Sequence, residues 1–185
     1  MNEPYLYALI STFVPEHFKI LTELAGGLLI KEVRDGYTYA NGVLHSFNDK
    51  PAISCSDGYQ AWYRNDKIHR DNNLPAVIYP WGTQEWYQNG ILHRDSDLPA
   101  IVRSNGTQVW FQNGEIHRDN DLPAMIYSDG TKEWYQNGKL HRDNDLPAVI
   151  YFDGTKKWYQ NDRLYRDKDR PDVVWSNGKE YRIGN

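Results

Sequence analysis

One stretch decides the fold: residues 134–157 read WYQNGKLHRDNDLPAVIYFDGTKK. This stretch is one copy of a unit that recurs every 24 residues along the chain. The tryptophans at its first position are Trp62, Trp86, Trp110, Trp134 and Trp158. The histidines at its eighth position are His45, His69, His93, His117 and His141. A period of this length is typical of a repeat array, in which each unit buries its apolar surface against the next one.

Each unit carries two turn signals, which in the quoted stretch are Asn-Gly at 137–138 and Asp-Gly at 153–154. Such pairs accept the positive φ angles that two-residue hairpin turns require. The segments between the turns are short and rich in β-branched and aromatic residues, which favour strands. No helix fits between turns that lie so close together. The sequence therefore predicts a mainly β fold, an elongated array of stacked antiparallel β-hairpins with 24-residue repeats.

The tryptophan of each unit is followed directly by tyrosine or phenylalanine, so in a strand the two rings point to opposite faces. Stacked units would then form a Trp ladder on one face and a Tyr/Phe ladder on the other. Burial of about 150–250 Å² per ring contributes at most about 4–6 kcal/mol. We therefore predict that the five tryptophans hold the array together. The repeated histidines are predicted to be structural, as hydrogen-bonding groups that support the tryptophans. They are His69, His93, His117 and His141.

Residues 1–27 differ in pattern from the repeats and are predicted to form a short α-helical N-terminal cap, which leaves residues 28–185 for the repeat array. The apolar residues of two predicted helices are Leu6, Leu9, Ile10, Phe13, Phe18, Leu21 and Leu24. Their spacing places them on one face of each helix, and the glycines at 26–27 end the second helix. The side chains predicted to cover the first edge of the array, or to dock a partner instead, are Leu6, Leu9, Phe13 and Phe18.

The repeat resembles a known family. It reads Asp-Gly-x-x-x-Trp-Tyr-x-Asn-Gly-x-x-His-Arg and is closed by Pro-Ala and a short apolar strand. Over about residues 33–185 this pattern resembles MORN (membrane occupation and recognition nexus) repeats, in the variant found in arrays encoded by large DNA viruses and some bacteria. The usual repeat has glycines where this chain has His-Arg and Pro-Ala.

The resemblance implies an elongated antiparallel sheet of stacked hairpins, which is usually a scaffold or docking surface and not a catalyst. In a viral setting it also implies a structural or particle-associated protein. The phospholipid binding proposed for the family is an alternative that would act through the repeats.

Two features of the repeat imitate catalytic or metal sites. His-Arg-Asp occurs at 69–71, 93–95, 117–119 and 141–143, but a protein-kinase loop also needs an Asn five residues after its Asp, a Gly-rich loop and an Asp-Phe-Gly motif. Successive histidines would lie about 10 Å apart, two strand spacings, which is too far to share a metal ion. The sequence therefore predicts no catalytic, cofactor or metal-binding residues.

The arginines of these tripeptides form a candidate interaction surface, and they are Arg70, Arg94, Arg118 and Arg142. Each is followed directly by an aspartate, so the simplest interpretation is a row of loop salt bridges between sequence neighbours. The alternative is an arginine stripe that binds the phosphates of lipid headgroups or nucleic acid. The adjacent aspartates oppose that alternative.

Composition indicates which partners and which compartment to expect. The net charge of −4 argues against a nucleic-acid ligand. The single cysteine, Cys55, excludes an internal disulfide and indicates a reducing compartment. No segment approaches the roughly 18 consecutive apolar residues that span a bilayer. We therefore expect an intracellular, soluble protein, associated with virus particles if its source is viral.

Together these observations predict a non-enzymatic scaffold that presents an elongated surface to a protein partner. No cofactor is expected, and homo-oligomerisation stays open.

A further alternative is an F-box-like adaptor. The segment from Leu9 to Phe18 resembles the opening of an F-box, in which two short helices meet at a proline, here Pro15. The third helix of that motif would begin at Leu21.

Overall fold

Turn-forming residue pairs divide this chain into short strands. The computed structural model describes residues 18–24, 27–166 and 170–183, and every regular element within these residues is a β-strand. All strand pairs in this part of the chain are antiparallel. The predicted array of antiparallel β-hairpins is therefore confirmed.

The first thirteen strands in chain order are β1 (Phe18–Leu24), β2 (Gly27–Arg34), β3 (Tyr37–Ala40), β4 (Val43–Leu44), β5 (Ile53–Ser54), β6 (Gln60–Ala61), β7 (Tyr63–Arg64), β8 (Lys67–Ile68), β9 (Val77–Ile78), β10 (Gln84–Glu85), β11 (Tyr87–Gln88), β12 (Ile91–Leu92) and β13 (Ile101–Val102). The remaining thirteen are β14 (Gln108–Val109), β15 (Phe111–Gln112), β16 (Glu115–Ile116), β17 (Met125–Ile126), β18 (Lys132–Glu133), β19 (Tyr135–Gln136), β20 (Lys139–Leu140), β21 (Val149–Ile150), β22 (Lys156–Lys157), β23 (Tyr159–Gln160), β24 (Arg163–Leu164), β25 (Val173–Val174) and β26 (Glu180–Tyr181).

Each repeat unit contributes two strands to one continuous sheet and one separate hairpin. The sheet has 16 strands in the order β1-β2-β3-β5-β6-β9-β10-β13-β14-β17-β18-β21-β22-β25-β26, with β4 paired to β3. The small hairpins are β7-β8, β11-β12, β15-β16, β19-β20 and β23-β24. In the unit that begins at Trp110, β17 pairs with β18, and β18 pairs in turn with β21 of the next unit. The array therefore grows by pairing of strands that are close in sequence.

The two turn signals of a unit form loops of different length. In hairpin β19-β20, Asn137 and Gly138 have φ angles of 50° and 75°, as a two-residue turn requires. At the second signal only Gly154 is left-handed, with φ of 87°, and the loop spans three residues, 152–154. Asp153 accepts a hydrogen bond from the backbone N–H of Thr155 at 2.8 Å, which stabilises this longer loop. The predicted two-residue turn is therefore wrong at the second signal.

Buried tryptophans and buried alanines form the core. The five repeat tryptophans are between 4% and 7% exposed. The alanines of the Pro-Ala pairs are fully buried, and they are Ala52, Ala76, Ala100, Ala124 and Ala148. The two columns are joined within each unit, since the backbone N–H of Trp110 donates to the carbonyl of Ala124 at 2.8 Å. Because these alanines are fully buried, a bigger side chain at their positions would overpack the core.

Burial separates each tryptophan from the tyrosine that follows it. Trp134 is 7% exposed, whereas Tyr135 is half-buried. The hydroxyls of Tyr135 and Tyr127 both donate to Oε2 of Glu133, at 3.0 and 3.2 Å. Burial of the ring and then the nearby Glu133 carboxylate raise the pKa of the Tyr135 phenol. The tryptophans therefore supply the core, and the tyrosines supply a hydrogen-bonded, partly exposed surface.

The predicted α-helical cap is wrong for the described part of the N-terminal segment. Residues Phe18–Leu24 form β1, which pairs with β2 from Phe18↔Val33 to Leu24↔Gly27. The same residues fit a period of two as well as a helical period. Phe18, Ile20 and Leu24 share one parity, and the charged Lys19 and Glu23 share the other. The open backbone edge of β2 favours a strand over a helix for these residues, because only another strand pairs the N–H and C=O groups along that edge.

Two further predictions depend on that segment. The F-box interpretation needs a helix from Leu21 onward, so β1 excludes it. The predicted first helix, with Leu6, Leu9 and Phe13, lies outside the described residues. Among the described residues there is no helix long and apolar enough to cross a membrane.

Position in the array should determine how much each tryptophan contributes. We expect Trp110→Ala to lower the free energy of unfolding by about 3–5 kcal/mol, as for other buried aromatic residues. Trp158→Ala should cost less, because in the described residues no further unit packs after the one that begins at Trp158. Urea midpoints of the two variants measure the difference. Equal losses would contradict the dependence of each unit on both neighbours.

Candidate functional site

The chemically distinctive residues of the repeat lie in four equivalent loops, residues 69–75, 93–99, 117–123 and 141–147, which together we call the loop edge. Each loop returns the chain from a small hairpin to the continuous sheet. Two consecutive residues in it are left-handed, for example Asn120 and Asp121 with φ of 60° and 54°. Asn and Asp tolerate this conformation better than most side chains. The turned backbone places the carbonyl of Asp121 where it accepts the indole N–H of Trp134 at 2.9 Å.

An arginine clamp covers each tryptophan from the loop side. The guanidinium of Arg142 lies 3.9 Å from the centroid of the Trp134 ring. Its Nε and Nη2 donate to the two carboxylate oxygens of Asp121 at 2.7 and 2.9 Å, and its Nη1 donates to the carbonyl of Pro147 at 3.2 Å. Stacking on an indole and bidentate pairing with a carboxylate are the interactions for which the planar guanidinium is best suited. The clamp therefore ties one unit to the loop of the preceding unit.

The same clamp recurs along the array. The ring-stacked arginines are Arg70, Arg94, Arg118, Arg142 and Arg166, at 3.7–3.9 Å from the indole centroids. Their acceptors lie 21 residues earlier and are Asp49, Asn73, Asp97, Asp121 and Asp145. Arg70, Arg118 and Arg142 have side chains that are 13%, 14% and 13% exposed. The predicted arginines therefore lie at the loop edge. Their side chains are mostly buried there and hold neighbouring units together.

The predicted pairing of each arginine with the next residue is wrong. Arg142 pairs with Asp121, and its sequence neighbour Asp143 is bonded instead by His141 and Gln136. The partner of the arginine is the second acidic residue of the loop, which was not among the predicted site residues although it also recurs every 24 residues. That recurrence, interrupted only by Asn73, was the available signal. The acidic residue is itself the second member of the left-handed pair, which explains why a residue so far away in sequence reaches the guanidinium.

Each histidine of the loop edge links two units. Nδ1 of His117 accepts the backbone N–H of Asn137 at 3.1 Å, and Nε2 donates to Oδ1 of Asp119 at 3.1 Å. Equivalent bonds from the next hairpin reach His69, His93 and His141. Both ring nitrogens of these histidines are therefore engaged in hydrogen bonds within the array. Among the described residues no group of three His, Cys, Asp or Glu side chains is placed to hold a metal ion.

The first aspartate of each loop stays exposed while it is fixed from two sides. The side chain of Asp119 is 65% exposed and accepts Gln112 Nε2 at 2.7 Å in addition to His117. These two hydrogen bonds, that from Gln112 first, lower the pKa of the Asp119 carboxyl. The loop edge therefore presents ionised carboxylates in fixed positions.

A shallow groove opens between successive loops. One has a volume of about 130 Å³ and is lined in part by His117, Asp119, Leu122, Trp134 and Gln136. The next groove along the array has a volume of about 160 Å³ and is lined by the corresponding Leu146 and Trp158. Both are well below the roughly 300–1,000 Å³ of typical small-molecule pockets. Each groove has room for a single side chain.

The remaining residues of the predicted surface lie elsewhere. Phe18 lies in β1, at the first edge of the continuous sheet, and the structure does not bring it to the loop edge. Leu6, Leu9 and Phe13 lie outside the described residues. Their proposed contact with a partner stays a prediction.

Comparison of the chain with protein-family models, with curated proteins and with solved structures gave no match.

Removing one carboxylate from a clamp should weaken the array without removing the arginine. Asp121→Asn keeps a hydrogen bond to Nε of Arg142 but loses the second bond and the ion pair, as at Asn73. We expect a loss of about 0.5–1.5 kcal/mol in the free energy of unfolding, between the ranges for exposed ion pairs and for charged hydrogen bonds. Urea denaturation measures it. Asp129→Asn, in an exposed turn, is the control and should change little.

The clamps should also make stability depend on pH in the acid range. The hydrogen bond from Arg142 lowers the pKa of Asp121 below its ordinary value of 3.8. A carboxyl whose pKa is lower in the folded state stabilises the fold above the unfolded value and loses that contribution as pH falls through the folded value. The stability gap between wild type and Asp121→Asn should therefore be constant above about pH 5 and shrink below pH 3.8. Urea midpoints from pH 6 to pH 2 follow it, and a gap that widens in acid would contradict the clamp.

Proposed function

We propose that the protein is a non-enzymatic repeat scaffold that binds an elongated protein partner along the loop edge. The observation that carries this proposal is a row of exposed leucines with the period of the repeat. They are Leu74, Leu98, Leu122 and Leu146, which are 38%, 37%, 38% and 37% exposed. Single exposed apolar residues are common on protein surfaces, but a row at one position of four consecutive units is a continuous feature.

The grooves favour a protein partner. Leu122 and Leu146 each line a groove that is large enough for one side chain. Repeated small grooves at fixed spacing suit an extended chain that offers one side chain to each unit, whereas a single ligand would need one larger pocket. The exposed carboxylates beside the grooves would supply polar contacts around an apolar centre.

The rigid framework of the loop edge supports the same function. Clamps and histidine bridges hold the loops to their neighbours, so that binding would order few additional groups. The resemblance to MORN repeats points in the same direction, because arrays of that family usually serve as scaffolds. In a viral setting the scaffold would be a particle-associated protein.

Binding of phospholipid by the arginine column is the competing interpretation. Each of the four predicted arginines already uses Nε, Nη1 and an indole contact, and three of them also pair with a carboxylate through Nη2. A phosphate would have to displace these partners. We therefore assign the arginines a structural part and the leucines the binding part.

A matched pair of variants tests the proposal. The tagged protein is isolated from its native cells, partners are identified by mass spectrometry, and the affinity of the main partner is measured with purified components. Leu98→Ser with Leu122→Ser should weaken that affinity by about tenfold or more, as for two central apolar contacts. Ile91→Ser is the control, since Ile91 is 48% exposed on a small hairpin away from the loop edge.

Two outcomes would contradict the scaffold proposal. Equal affinity in the leucine double variant and in wild type would remove the loop edge from the interface. Flotation with anionic liposomes at about 0.15 M salt, where exposed charges are screened beyond about 8 Å, would favour the lipid interpretation.

A further inference from the structure

One clamp lacks the carboxylate that completes the others. Arg94 lies 3.7 Å from the centroid of the Trp86 ring, and its Nε donates to Oδ1 of Asn73 at 2.7 Å. Its Nη1 donates to the carbonyl of Pro99 at 3.2 Å. No residue in the described part of the chain accepts a hydrogen bond from its Nη2, whereas Nη2 of Arg118 bonds Asp97 at 2.9 Å. The repeated clamp is therefore incomplete at one place, between Nη2 of Arg94 and the side chain of Asn73.

Two donors converge at this break. Asparagine and aspartate have the same shape, and Oδ1 of Asn73 keeps the bond to Nε that Oδ1 of Asp97 makes. The amide nitrogen of Asn73 consequently occupies the position of the second carboxylate oxygen, facing Nη2 of Arg94. Both groups donate hydrogen bonds, and neither accepts one. An acceptor between them, preferably an anion, would satisfy both.

The charge around the break also differs from the rest of the loop edge. Arg64 pairs with Asp71 here, at the position where the later units have Gln88, Gln112 and Gln136. The group around Asn73 thus has two arginines, Arg64 and Arg94, against one aspartate, Asp71. The next group has one arginine, Arg118, against Asp95 and Asp97. Two independent sequence changes, Asp to Asn and Gln to Arg, make the same place more positive.

The local environment leaves the arginine charge uncompensated and accessible. Asn73 is exposed and Arg94 is half-buried. Burial lowers the pKa of the Arg94 guanidinium. The nearest acidic neighbour in sequence, Asp95, has hydrogen bonds from His93 and Gln88.

We propose that Asn73 and Arg94 form a binding site for a carboxylate, supplied by an aspartate or glutamate in an acidic segment of the protein partner. The carboxylate would accept hydrogen bonds from Nη2 of Arg94 and from the side-chain amide of Asn73. A carboxylate is the group that the same guanidinium position holds in the clamps at Asp49, Asp97, Asp121 and Asp145. The site rests on the proposed scaffold function and gives the partner a fixed register, because it occurs at only one of the described clamps.

The site is tested first with a simple probe on the full-length protein. A capped triglutamate peptide is titrated into ¹⁵N-labelled protein, and the side-chain signals of Arg94 and Asn73 are followed by NMR. We expect saturable shifts of these signals with triglutamate and none with capped triglutamine. Asn73→Asp places an internal carboxylate on Nη2 and should weaken peptide binding by about tenfold or more. The same substitution should raise the urea midpoint, since it completes the clamp.

Two further variants sharpen the test. Asp121→Asn creates the same pair of donors in another unit and should add peptide-dependent shifts at Arg142. Arg94→Lys keeps the charge but lacks Nη2, so it should lose binding even if Asn73→Asp fails to fold. Equal peptide binding by wild type, Asn73→Asp and Arg94→Lys would overturn the site. Inorganic phosphate binding more tightly than the peptide would overturn the assignment to a carboxylate.

The purified partner separates this site from the scaffold function itself. Asn73→Asp should weaken partner binding by about tenfold, with the leucine row intact. A partner that requires Leu98 and Leu122 but binds wild type and Asn73→Asp equally would overturn the carboxylate site and leave the scaffold function standing. Loss of the leucine dependence alone would overturn the scaffold proposal, while the peptide titration still decides the site.

Discussion

The stack of an arginine on each buried tryptophan is the interaction on which the rest of the structure depends. Most strands of the array are only two residues long, so strand pairing alone secures little surface. The free energy comes mainly from indole burial, at most about 4–6 kcal/mol per ring. The guanidinium covers one side, and the loop carbonyl of the preceding unit satisfies the indole N–H.

This arrangement explains why residues of catalytic type have structural positions. Histidine, arginine and aspartate are the side chains that build active sites, and here they recur in every loop of the loop edge. His117 joins the backbone of the next hairpin to Asp119, and Arg142 joins its own tryptophan to Asp121. Their hydrogen-bonding groups are engaged between units. The groups left toward solvent are leucines and carboxylates, which suit recognition of another protein.

A repeat array also makes a single exception informative. Five arginines make the same ring contact, and four of them pair with a carboxylate. The side chain of Asn73 can therefore be compared with four equivalent aspartates in the same chain. The exception coincides with the one unit in which Arg64 replaces glutamine. Both changes alter charge and leave the backbone of the loop unchanged, since Asn73 retains the left-handed φ of 56°. Such a position interrupts a surface that is otherwise periodic.

The sequence by itself determined the features that depend on local chemistry. Turn residues at a fixed period predict antiparallel hairpins, and neighbouring Trp and Tyr predict two separate ladders, because backbone conformation and side-chain alternation are properties of adjacent residues. Only the tertiary structure decided the features that depend on contacts between units. Arg142 meets Asp121 and not Asp143, because a left-handed pair turns the preceding loop toward it. Residues 18–24 fit both a helix and a strand by pattern, and the unpaired edge of β2 selected the strand.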